Sequence, residues 1–244
     1  MAIIYNFLKN VWENLLNESK SNLSFLPLVL LMVTIPLQLG ISNVFLGLYI
    51  ISVLINKHKS NFYFSLILIL PIVLFIWMCC SYFWSIDPTR TLNSIPREIA
   101  LLFLPIAFLL VSFSNKQKIK VISIYSYAMA LFVIYFLIRA IIRYIITQDS
   151  RTFFYHGEYN DDYGLVPKML NAIHFSVFVA IAFFYFLTQE VKTKTTIFIT
   201  FLLFSFIVLL SSKNIILVVK NLIIFYFLFY YKIANKMRLR NLIV

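Results

Sequence analysis

The chain has 244 residues, 62% of them hydrophobic and only 12% charged, with a mean hydropathy of +0.91. So little polar surface cannot cover a water-soluble globule of this length, which excludes a soluble domain. The formal net charge of +12 would suit a nucleic-acid binder, but the charges fall in short clusters between long apolar runs, so no nucleic-acid partner is expected.

In residues 1–20, Ile4, Phe7, Leu8, Val11, Leu15 and Leu16 recur at helical spacing beside Lys9, Asn10, Glu13 and Asn17. That pattern predicts an amphipathic helix lying on the inner leaflet of a membrane. Residues 21–244 then read as a transmembrane bundle. No charged residue occurs from Ser21 to Asn56, Ser60 to Ile86, Ile99 to Asn115, Val121 to Ile138, Met169 to Gln189 or Thr195 to Ser212. Such runs are about the length a helix needs to cross a hydrocarbon layer of about 30 Å. The expected fold class is therefore all-α: a polytopic integral membrane helical bundle of about eight spans with a cytoplasmic N-terminus. The spans are placed at about 23–39, 41–56, 62–83, 98–114, 120–146, 169–188, 195–211 and 214–231. The first two form a hairpin turning near Gln38–Asn43. Pro27, Pro36, Pro71 and Pro105 fall inside spans, where neighbouring helices can accommodate them. With only four glycines in the chain, close glycine-mediated helix crossings should not dominate packing. The adjacent Cys79 and Cys80 lie in a span, so they report nothing about a disulfide framework.

Odd spans run outward and even spans inward. This places Lys9, Lys20, Lys57, Lys59, Lys116, Lys118, Lys120, Lys192, Lys194, Lys232, Lys236, Arg238 and Arg240 in the cytoplasm, 13 of the 21 basic residues. Three acids, Glu13, Glu18 and Glu190, accompany them. An excess of Lys and Arg on alternate loops is the bias that orients membrane proteins. Two segments on the opposite side are long enough to carry function: Phe83–Glu98 and Gln148–Lys168. After a basic segment the chain stops at Val244 just as another apolar run begins, so it is expected to be the N-terminal part of a longer protein.

Arg139 and Arg143, four residues apart, share one helix face near the outer end of the fifth span. Two readings stand: interfacial snorkelling, or a clamp for a diphosphate, whose oxygens match the guanidinium fork. Lys213, at the outer turn between the seventh and eighth spans, either binds a headgroup phosphate or caps a hairpin. Lys220, two turns further in, either faces the bundle interior or lies outside the true bounds of the span, and no chemistry is assigned to it. His174 reads as a packed helix contact. His156 stands beside Glu158, Asp161 and Asp162, but one histidine among loop acids is a weak metal signal, and no metal is expected. The sequence contains no Walker A pattern, HExxH or GxSxG, so ATP-driven and intramembrane-protease chemistry have no support.

The string YFWSIDPTRTLNSIPREIALLFLPI, residues 82–106, resembles the "WS…DP…" segment of the O-antigen ligase and O-antigen polymerase family. LLSSKNIILVV resembles that family's "SR" turn between two later spans, and NAIHFSVFVAIAFF falls where those proteins enter a span after an extracytoplasmic loop. Order and spacing agree over about residues 20–244. The resemblance implies a glycosyltransferase of the bacterial inner (cytoplasmic) membrane with its active face in the periplasm. Its donor is a glycan on undecaprenyl diphosphate; its acceptor is a lipid A–core sugar or another lipid-linked repeat unit, in lipopolysaccharide or surface-polysaccharide assembly. The reaction is metal-independent and needs no cofactor. Basic residues hold the diphosphate leaving group, here Arg139, Arg143, Arg151 and Lys213. Lys213 takes the place of the family's arginine and lacks its fork. The histidine expected to activate the acceptor lies in a later loop that this chain does not contain, so no catalytic residue is assigned and the chain alone is expected to be incomplete as an enzyme. Two other classes compete. A transporter or flippase of a lipid-linked sugar would show paired ionisable groups near the bilayer midplane and repeated halves. A non-catalytic membrane scaffold would need neither.

Overall fold

A computed structural model describes residues 12–13, 15–37, 39–56, 65–154, 164–167, 170–210 and 213–230, and all regular structure among them is helical, with no strand. The helices are α1 (Phe25–Thr34), α2 (Leu39–Asn56), α3 (Leu66–Cys80), α4 (Pro88–Ser94), α5 (Ala100–Leu110), α6 (Asn115–Thr147), α7 (Ala172–Thr188), α8 (Lys194–Leu209) and α9 (Lys213–Phe225). Short 3-10 turns follow α3, α4 and α6, and a π-turn over Tyr226–Tyr230 extends α9. Two helical stretches, Leu66–Trp84 and Asn115–Thr147, are long and apolar enough to cross a membrane. Five other apolar helices are shorter, at 10–17 residues. The chain divides into two compact units, Met1–Val121 and Ile122–Val244, with the boundary inside α6.

Each of the eight apolar runs contains a helix, but several ends differ from expectation. The break between α1 and α2 falls at residues 35–38, ahead of the expected turn. Pro36 is the reason: it lies in that break and not inside a span, because its missing N–H and ring disfavour a continuing helix. The Thr34 carbonyl closes the turn, accepting from Leu37 N at 2.9 Å and from Ser42 Oγ at 2.6 Å. Pro71 and Pro105 do sit inside helices, α3 and α5. The long helix starts at Asn115, five residues before the expected span. Ser114 and Gln117 explain this by forming a capping box: Gln117 N donates to Ser114 Oγ at 3.2 Å, and Ser114 N to Gln117 Oε1 at 3.1 Å.

In the first unit α1 packs on α2, α2 on α5, and α5 on α3. Tyr49 of α2 meets Phe108 of α5 with ring centroids 5.8 Å apart. Phe25, Leu28, Val29 and Leu31 of α1 and Val53 of α2 are buried. Gly40 and Gly47 face open space, so no close crossing depends on them. Much of α3 is bare of protein neighbours; Ile67 is 82% exposed. One end of this unit is polar. The buried Asn22 accepts at Oδ1 from Ser24 N (3.0 Å) and Asn56 Nδ2 (2.9 Å), and donates Nδ2 to the Ser112 carbonyl at 3.5 Å. Gln117 Nε2 donates to Ser21 Oγ, and Glu18 pairs with Lys116 and Lys120 at 3.4 and 3.7 Å. Residues 15–21 are helical, and Leu15 is buried against protein. Residues 1–11 of the expected amphipathic segment lie outside the described residues.

The second unit is an antiparallel arrangement of α6, α7 and α8, read from its ring contacts. Phe136 of α6 meets Phe175 of α7, while Tyr127, further back along α6, meets Phe186, further along α7. Phe175 in turn meets Phe206 of α8, and Phe183 meets Phe204. Small side chains at Ala140, Ala172 and Ala182 are buried, allowing close approach. Tyr125 Oη donates to the Phe178 carbonyl at 2.9 Å, tying α6 to α7. At the far end of α7, Lys192 Nζ donates to the Phe186 and Leu187 carbonyls at 2.7 and 2.6 Å, filling orphan acceptors of the helix C-terminus. Desolvation there lowers the pKa of its amine.

Candidate functional site

The antiparallel order fixes where the four predicted cations lie. The C-terminus of α6, the N-terminus of α7 and the C-terminus of α8 share one end of the second unit. Arg139 and Arg143 lie about 12 and 6 Å before the last residue of α6, at 1.5 Å per residue. Arg151 follows in the 3-10 turn Ser150–Phe153, and Lys213 opens α9 just after α8. All four therefore belong to this end.

The chain turns there because of two local devices. Gln148 takes a left-handed conformation (φ 54°), which stops α6, and its N–H bonds the Tyr144 carbonyl at 2.8 Å. Asp149 then accepts from Arg151 N at 2.9 Å, opening the 3-10 turn. Tyr144 and Phe153 meet at 5.5 Å, folding that turn back on α6. Leu165 and Val166 are buried, and Leu165 N donates to the Phe154 carbonyl.

Arg143 is half-buried and donates from Nη1 to the Gly164 carbonyl at 3.4 Å. Its guanidinium is thus anchored to backbone on one side. Arg139 is half-buried on the same helix face, whereas Arg151 and Lys213 are exposed. The arrangement joins Arg139, Arg143 and Arg151 through one helix end and its returning turn. Lys213 reaches the same end from a different helix. Five donors per arginine in a planar fork suit an anion with several oxygens.

Other expectations fare differently. His174 is exposed in the first turn of α7, not packed, since the inward positions there are taken by Ala172, Phe175 and Ser176. Lys220 is also exposed; Val219 is the residue of α9 that faces inward. His156, Glu158, Asp161, Asp162 and the basic residues 232–240 lie outside the described residues. Among the described residues no group of three His, Cys, Asp or Glu side chains could hold a metal. Cys79 and Cys80 are free thiols.

The Ile86–Ser94 segment has a local explanation of its own. Asp87 caps α4, accepting from Arg90 N at 3.0 Å, and Pro88 occupies the first helical position, where its fixed φ is pre-organised. Ser85 Oγ and Thr91 Oγ1 share a hydrogen bond of 2.6 Å. The polar end of the first unit was missed from sequence, although Ser114-x-x-Gln117 was a legible capping signal.

No protein-family model, no curated protein and no solved structure matches this chain.

Proposed function

We propose that this chain is an eight-span membrane protein of the O-antigen ligase or polymerase type, whose second unit binds a lipid-linked diphosphate at its outer end. It would sit in a bacterial inner membrane with that end in the periplasm. Its partners would be the lipid bilayer, a glycan on undecaprenyl diphosphate and a glycan or lipid A–core acceptor. The observation that carries the reading is the gathering of Arg139, Arg143, Arg151 and Lys213 at one end of the second unit, with Arg143 held by the Gly164 carbonyl. Departure of a sugar from a diphosphate develops negative charge on the phosphate oxygens, and fixed cations stabilise it.

The test is binding of a polyprenyl-diphosphate glycan by the chain in reconstituted membranes. Arg139→Ala and Lys213→Ala should each weaken binding about tenfold with insertion intact, the loss expected for one charge-assisted hydrogen bond. Unchanged binding in both variants overturns the diphosphate site. Topology is checked separately: a reporter fused after Asp149 should read as extracytoplasmic and one after Lys194 as cytoplasmic. Matching signals from the two fusions would overturn the alternating spans.

A further inference from the structure

The heptad Lys-Asn-Ile-Ile-Leu-Val-Val, residues 213–219, is followed by Lys-Asn-Leu-Ile-Ile-Phe-Tyr, residues 220–226. Two consecutive heptads thus open on Lys-Asn and continue apolar. Residues seven apart lie on nearly the same side of a helix, so Lys213 and Lys220 form one stripe and Asn214 and Asn221 another beside it.

The structure shows which way this stripe faces. Val219 is the buried residue of α9, and Ile215, Ile216 and Ile223 are half-buried on the same side. Lys213, Asn214, Leu217, Lys220, Asn221 and Ile224 are all exposed. At 100° per residue these six positions spread around the face opposite Val219 and Ile215. Val218, Leu222 and Phe225 are exposed as well, so α9 offers its own unit only the narrow side around Val219, and its four polar side chains all lie on the opposite face. For a helix in lipid this is inverted: ionisable side chains in spans face protein or a water-filled cavity, because an ammonium in hydrocarbon is costly. The 13 residues of α9 and the five of its π-turn together reach about 27 Å. Lys220 lies about 10 Å from the Lys213 end, near mid-depth.

From this inversion, and resting on the eight-span reading, we infer that the Lys213–Lys220 face of α9 docks a membrane helix of a separate protein that presents a carboxylate near mid-depth. Charge decides the occupant. None of the nine acidic residues of the chain falls within α1–α9. A second copy seated on this face would bring lysine to lysine and no acid at that depth. Asn214 and Asn221 flank the lysines and add hydrogen-bonding amides to the contact. Leu217 and Ile224 supply the apolar part of the same face.

The test uses the whole chain in its own membranes, with a photo-crosslinking residue at Leu217, 59% exposed, and at Ile67 of α3 as a control for a lipid-facing position. The Leu217 probe is expected to join one protein, through a peptide containing Asp or Glu, while the Ile67 probe labels lipid. Lys220→Glu should cut the protein adduct at least tenfold, Lys220→Arg should keep it, and Lys220→Met should lower it without adding a charge that could impair insertion. Exchanging the partner's carboxylate for lysine should restore the adduct in the Lys220→Glu chain. Lipid adducts alone at Leu217 overturn the docking site while leaving the span in place, as does an adduct of twice the chain's mass or one indifferent to Lys220→Glu. If single-cysteine variants along the whole of α9 react with a water-soluble thiol reagent, the span itself fails and the docking site falls with it.

Discussion

Phe175→Ala should destabilise the second unit by about 2–3 kcal/mol, measured as reversible unfolding of the detergent-solubilised whole chain. Phe175 is 1% exposed and stands edge-on to Phe136 of α6 at 5.4 Å and to Phe206 of α8 at 5.9 Å. One ring therefore joins three helices. In a water-soluble core such a truncation costs about 3–5 kcal/mol. A chain inserted in lipid keeps its apolar side chains in an apolar medium even when its helices separate, so the transfer part of that cost falls away. What is left is the cavity and the two lost ring contacts, each about 0.5–1.5 kcal/mol beyond area. Phe175→Leu should cost under about 1.5 kcal/mol. Phe198→Ala, at a position 61% exposed on α8, should stay within about 0.5 kcal/mol of the parent. A loss below about 1 kcal/mol for Phe175→Ala would mean that the three helices do not meet at this ring.

Asn22→Leu is the second large effect, at about 2 kcal/mol on the first unit. Leucine has the same branching at Cγ but offers neither donor nor acceptor. The change strips partners from Ser24 N, Asn56 Nδ2 and the Ser112 carbonyl in one step. Ser24 is fully buried, so its N–H cannot turn to water instead. Asn56 is only half-buried and Ser112 is exposed, which holds the total below the sum of three orphaned groups. A double-mutant cycle with Asn56→Ala should return a coupling of about 1 kcal/mol. Full additivity of the two changes would show that the side chains do not interact. The Glu18 pairs should matter far less, because Lys116 is 83% exposed at its side chain.

Why some of this was legible in the sequence and some not follows from the range of the interactions. Helix positions were legible because they depend on local composition: apolar stretches predicted eight spans, and each contains a helix. Where ends shifted, a local feature outweighed composition. Pro36 moved the α1–α2 turn forward, and the Ser114–Gln117 box pulled the start of α6 back into a lysine cluster that reads as a polar connection. The polar end of the first unit was not legible, since its partners are 34, 90 and 96 residues apart. The candidate site was half legible. Alternating spans put Arg139, Arg143, Arg151 and Lys213 on one side, and the ring contacts between α6, α7 and α8 place them at one end. That Arg143 would find the Gly164 carbonyl depends on how a loop folds back, which spacing does not encode. Nor does hydropathy tell which way a helix faces: the packing of Val219 turned Lys220 outward.

The separation in sequence of the groups around Asn22 also sets an order in time. Its amide cannot meet the Ser112 carbonyl until some ninety further residues have been made, about 5–20 s of synthesis at ordinary rates. Asn56 arrives first, 34 residues on, so the α1–α2 hairpin can form while its amide contact still has an open side. That side has to stay hydrated until α5 and the start of α6 arrive, so this corner of the nascent chain dries last.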